Sequence, residues 1–151
     1  MAKAKKQAIP STALVLGLAG LIPFFGCALA ATLFDGELAA RSTLALAAYG
    51  AVILSFLGGV KWGVLVNDKT SLKRWKPIVL SVIPSIIAWL ALLLPAIAML
   101  SVLAAGVVYQ YFLDSESVHQ TELPEWYGRL RLILTTGAVF SLLVGLIAQV
   151  L

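Results

Sequence analysis

"PIVLSVIPSIIAWLALLLPAIAMLSVLAAGVVYQYFL" fills residues 77–113 without one charged side chain. As a single helix, these 37 residues would run about 55 Å, against a hydrocarbon core of about 30 Å. The block must therefore turn back on itself. Pro95 is the natural corner, because proline cannot continue a helix without losing a backbone hydrogen bond. The reading gives two spans, 77–94 and 96–113, joined as a tight helical hairpin.

Working outward, three further apolar runs occupy residues 11–34, 42–66 and 130–151. Each is close to the length of about 20 residues that a membrane helix needs. The runs are continuous rather than alternating, which excludes barrel strands. The chain has 151 residues, 61% of them hydrophobic and 12% charged, with a mean hydropathy of +0.99. A soluble protein of this size exposes too much surface to hide that composition. The expected fold is all-α: one transmembrane domain over residues 1–151, a bundle of five helices.

Basic residues set the expected orientation. Lys3, Lys5 and Lys6 precede the first span; Lys69, Lys73, Arg74 and Lys76 lie between the second and third; Arg129 and Arg131 open the fifth. Five spans put all of these on one side and leave Arg41, beside Asp35 and Glu37, on the other. The positive-inside rule then places the N-terminus in the cytoplasm and the C-terminus outside. "KAKK" at 3–6 and "ALA" at 28–30 imitate a signal peptide, but the apolar run between them is longer than such a segment uses, so it reads as a span.

Small residues recur at every fourth position of the second span: Ala47, Ala51, Ser55, Gly59 and Gly63. The fifth span repeats the pattern with Gly137, Ser141, Gly145 and Gln149. Residues four apart share a helix face, and small faces let helices approach closely in lipid. Ala51, Ser55, Gly59, Gly63, Gly137, Ser141 and Gly145 are accordingly expected to form packing seams. Pro23 and Pro84 lie inside spans and are expected to kink them.

Lys61 lies six residues before Asn67, about 9 Å along a helix, so its stem can carry the ammonium toward the headgroup layer. Asp114 and Arg131 fall at similar depth at the ends of neighbouring spans. Together with Trp62, Tyr111 and Thr135, these residues form a candidate interfacial cluster: Lys61, Trp62, Tyr111, Asp114, Arg131, Thr135. It would serve either as an ion-pair latch or as a pocket for a lipid phosphate, a quinone head or a small anion. Lys61 is expected within reach of Asp114 or a lipid phosphate, because a lone ammonium in hydrocarbon costs at least about 2.5–3.5 kcal/mol.

Three motifs, "LGLAGLIPFF" at 16–25, "ILSFLGGVKWG" at 53–63 and "PEWYGRLRLILT" at 124–135, together resemble the transmembrane protein 69-like family, which carries domain of unknown function 3429. Gly58, Gly59, Trp62, Trp126, Arg131 and Thr135 match the family pattern. The resemblance implies a small multi-helix inner-membrane protein and brings no activity, cofactor or catalytic residue. A bacterial inner (plasma) membrane is the expected location.

Chemistry-bearing motifs are sparse. Cys27 and His119 are the sole cysteine and histidine, so neither a disulfide nor a His/Cys metal site is expected. No acid pair or activated nucleophile suggests an enzyme. Transport is disfavoured by the absence of midplane carboxylates and of two equal repeats. The leading expectation is a non-catalytic accessory or assembly protein of a larger membrane complex, and the alternative is a lipid- or quinone-binding protein. Expected partners are membrane lipids and another membrane protein or a second copy, and not nucleic acid.

Overall fold

The computed structural model describes residues 8–67, 75–120 and 122–150. All regular structure among them is helical: α1 Ser11–Ala19, α2 Ile22–Leu33, α3 Gly36–Asn67, α4 Trp75–Ala91, α5 Ala96–His119 and α6 Glu125–Ile147. Four stretches are long and apolar enough to cross a membrane: Ser11–Leu33, Gly36–Val66, Ala96–His119 and Glu125–Ile147; Trp75–Ala91 is apolar but shorter. Its apolar course continues through a tightened turn, in which Leu92, Leu93 and Leu94 donate to carbonyls three residues back. Pro95 then caps α5, so the 77–113 block folds back at the expected corner.

Three helices exceed the expected spans. α3 begins at Gly36 rather than at residue 42, α5 reaches His119 and α6 starts at Glu125. These extensions carry polar residues, and hydropathy cannot detect helix that leaves the apolar zone. Gly36 has φ +61, a left-handed conformation that glycine enters freely, and it turns the chain from α2 into α3.

α1 and α2 form one broken span. Pro23 lacks the N–H that would reach Ala19, and its ring clashes there, so the helix ends and restarts around Gly20 and Leu21. The Tyr49 hydroxyl of α3 donates to the Gly20 carbonyl at 2.9 Å, satisfying an acceptor at the break. Pro84, by contrast, sits inside α4 without ending it.

α3 packs against α2, α4 and α5, while α6 packs against α2 and α5; α1 lies along α6. Phe24, Leu46, Leu54, Leu100, Leu103 and Leu142 fill the centre, and the Phe24 ring meets Tyr49 edge-on. Many large apolar side chains, including Phe56, Trp89, Phe112 and Phe140, face outward, whereas Gln110, Asp114, Arg131 and Ser141 are buried. Apolar outside and polar inside is the arrangement that a hydrocarbon solvent selects.

The seams need one correction. On α6, a Cβ at Gly137 would stand 2.7 Å from Leu21, and one at Gly145 would stand 2.5 Å from Leu46, so both glycines mark close helix approach. Ser141 between them is fully buried and donates to the Gly137 carbonyl, and Gln149 donates to Thr43 of α3 at 3.0 Å. On α3, Ala51 is buried and Ser55 half-buried, but Gly59 and Gly63 have no described neighbour within 4 Å of a Cβ position. The crowded glycine is Gly58, where a Cβ would collide with the Ser81 carbonyl of α4. A strict four-residue stripe drifts around the helix because 3.6 residues complete a turn. Over 16 residues from Ala47 the drift carries Gly63 off the packed face.

Candidate functional site

The polar interior is concentrated where α5 descends to its C-terminus and α6 begins. Gln110, Asp114 and Ser117 recur at i, i+4 and i+7 on one face of α5, all buried. Tyr127, Arg131 and Thr135 recur at i, i+4 and i+8 on α6. The two polar stripes meet. Arg131 Nε donates to Asp114 Oδ2 at 2.6 Å, and the two side chains are 5% and 2% exposed. Gln110 Nε2 donates to the other carboxylate oxygen at 3.0 Å. This donation fixes the amide orientation, since an amide oxygen facing a carboxylate would be repelled.

Lys61 comes from α3 to the same end of the bundle. Its Nζ donates to Ser117 Oγ at 3.1 Å, one helical turn beyond Asp114. Of the two expected partners, Asp114 or a lipid phosphate, Asp114 is engaged by Arg131 and Gln110 instead, and the Lys61 ammonium meets a hydroxyl. Thr135 is buried one turn along α6 from Arg131. Trp62 and Tyr111 do not join the cluster: Trp62 is 45% exposed on the outer surface, and Tyr111 turns its ring toward Phe112. Helix rotation directs these two rings away from the Asp114–Arg131 pair.

Next to the ion pair lies a cavity of about 340 Å³. Its walls come from α1, α2, α3, α5 and α6 and are almost wholly apolar, including Leu21, Phe24, Ile53, Leu57 and Leu134. The polar residues lining it are Tyr127 and Arg131. Arg131 Nη2 is buried and has no hydrogen-bond partner among the described residues, and the same is true of Gln110 Oε1 and Thr135 Oγ1 nearby; the buried Tyr127 OH lies beside the Asp114 carboxylate without a well-aligned hydrogen bond. Buried polar groups are nearly always partnered in folded proteins, so these atoms are the least satisfied part of the described interior.

Gln110, Ser117 and Tyr127 are the members that reading the sequence missed. Their signal was present as polar residues at helical spacing around Asp114 and Arg131. The cavity had no sequence signal, because it arises from the break at Gly20 and from how five helical segments splay around it. Among the described residues, no group of His, Cys, Asp and Glu could hold a metal ion.

The sequence profile described as a protein of unknown function (DUF3429) matches residues 9–147. Transmembrane protein 69 of Xenopus tropicalis is 41% identical over 150 residues, covering 96% of this chain and 57% of the frog protein. Transmembrane protein 69 of Mus musculus is 28% identical over 141 residues, covering 93% of this chain and 57% of the mouse protein. The chain thus spans little more than half the length of these relatives. No solved structure matches it. With nearly all its described helical bundle inside the matched region, the chain belongs to the DUF3429 family of membrane proteins that includes Transmembrane protein 69.

Proposed function

We propose that this bundle binds an amphiphilic molecule, a lipid or a quinone, with its apolar part in the cavity and its polar end at Tyr127 and Arg131. The observation that carries the reading is an apolar chamber of about 340 Å³ with two buried polar groups at its wall, one of which, Arg131 Nη2, lacks a partner among the described residues. Ligand sites commonly combine a mostly apolar wall with a few convergent polar groups, and this volume is at the small end of their range. The Asp114–Arg131 pair serves the site by holding the guanidinium in one orientation, with Gln110 bracing the carboxylate. No step of catalysis is proposed.

The test is mass spectrometry of the protein released from membranes in mild detergent, beside a Leu134→Trp variant that fills the chamber. A lipidic species retained by the parent and lost from the folded variant supports the reading. Equal retention by both, or none by the parent, overturns it.

A role in assembling a larger membrane complex is the second reading. It is favoured by the α3 face at Gly59 and Gly63, which is open among the described residues and small enough to admit another membrane helix. Co-purification of a stoichiometric membrane partner, lost on Gly59→Leu, is its test.

We further propose five crossings, with α4 as the short one, the N-terminus in the cytoplasm and a bacterial inner membrane as the setting. Lys76 opens α4 and Arg129 lies in the first turns of α6, at the same end of the bundle. Arg41 at the other end is tied to Glu37 at 2.6 Å. Lys3, Lys5, Lys6, Lys69, Lys73 and Arg74 lie outside the described residues. Reporter fusions at residues 35 and 150 test the topology; activity of a cytoplasmic reporter at both would overturn it.

A further inference from the structure

We infer that the polar group received at the inner end of the cavity is an uncharged carbonyl oxygen carried on an apolar tail, and not an anionic phosphate or carboxylate. The inference rests on the amphiphile reading above and narrows it to one chemistry.

Charge is the first ground. Among the described residues Arg131 is the one charged residue lining the cavity, and Asp114 already matches it at 2.6 Å. Lys61 does not line the cavity and is directed to Ser117. An anion placed against Arg131 would therefore bring an unmatched negative charge close to the Asp114 carboxylate, inside apolar walls. Burial of a charge without its own counter-charge is strongly unfavourable in such surroundings. A neutral head carries no such penalty.

Hydrogen bonding is the second ground. The polar groups lining the cavity are Arg131 Nη2, which has no partner among the described residues and can only donate, and Tyr127 OH, a donor that lies beside Asp114. Their complement is an acceptor oxygen. A ring carbonyl of an isoprenoid quinone and an ester carbonyl of a neutral acylglycerol both supply one. Either brings the apolar chain that Leu21, Phe24, Ile53 and Leu57 would surround.

The experiment is equilibrium binding to the purified full chain in detergent micelles with four probes. Dioctanoylglycerol and dioctanoylphosphatidate share their tails and differ by a phosphate. A decyl-tailed benzoquinone tests the ring carbonyl, and decane tests the tail alone. A carbonyl probe binding at least about tenfold tighter than the phosphatidate supports the inference, and so does a loss of about three- to tenfold for that probe in Tyr127→Phe, the effect of one hydrogen bond. Preference for the quinone identifies a ring carbonyl; preference for the glycerol identifies an ester. Phosphatidate binding as tightly as dioctanoylglycerol and the quinone overturns the neutral-head inference while leaving the cavity occupied. Decane binding as tightly as the carbonyl probes overturns it as well. Failure of all four probes overturns the amphiphile reading itself. The parent comparison stands even where Tyr127→Phe is poorly folded.

Discussion

Replacing Asp114 with leucine should be among the most damaging single changes in this protein, and a second replacement should repair much of it. The Asp114 side chain is 2% exposed and accepts from Arg131 Nε at 2.6 Å and from Gln110 at 3.0 Å. Its removal leaves the Arg131 guanidinium, 5% exposed, with no buried acid among the described residues. Breaking one side of a buried pair typically costs about 3–5 kcal/mol, whereas replacing both partners by apolar residues of similar volume is often neutral. Asp114→Leu and Arg131→Met should each therefore destabilise by about 3–5 kcal/mol. The double variant should lie within about 1–2 kcal/mol of the parent, allowing for Gln110's lost acceptor. The coupling then amounts to at least about 4 kcal/mol. Reversible unfolding in mixed micelles, followed by helical circular dichroism across the four proteins, measures it. Additive losses, or single variants within about 1 kcal/mol of the parent, would refute the claim that these charges are paired in a dry interior.

Gly58→Leu should destabilise the bundle by about 1–3 kcal/mol through collision with the Ser81 carbonyl, while Gly59→Leu should change the monomer's unfolding little; the same unfolding measurement compares them. Tyr49→Phe removes the hydrogen bond to the Gly20 carbonyl and should cost about 0.5–1.5 kcal/mol, with faster amide exchange in α1 as the local readout. Lys61→Met should insert at normal level and leave probe binding in the cavity within about twofold, since Lys61 bonds to Ser117 and does not line the chamber. A large loss of binding would place Lys61 in the site instead.

Residues 77–113 carried most of the fold: length, hydropathy and Pro95 together force a hairpin, and α4 and α5 meet there. Pro23 was legible as a kink, and the structure turns it into a full break between α1 and α2. Asp114 and Arg131 were legible as a pair because rare charges at equal depth on consecutive helices have few other partners. Trp62 and Tyr111 were misplaced for a different reason. Depth along the membrane can be counted from sequence, but rotation about the helix axis is set by packing. The same uncertainty moved the close contact from Gly59 to Gly58, a difference of about 100° around the helix. Tyr127 and Gln110 were missed because each alone resembles an ordinary interfacial or solvated residue. They become meaningful only when the two helix faces are set against each other.

The placement of the ion pair on consecutive helices also bears on how the chain is made. Asp114 and Arg131 are 17 residues apart, on the two arms of one hairpin. A lone charge carries an insertion cost of up to about 2.5–3.5 kcal/mol, the value at the centre of a membrane helix. Paired, they enter as a neutral unit, and Gln110 arrives on the same arm. During synthesis α5 emerges first and holds an unmatched carboxylate until Arg131 follows. Insertion of α5 and α6 together, as one hairpin, therefore avoids presenting an unmatched charge on either arm.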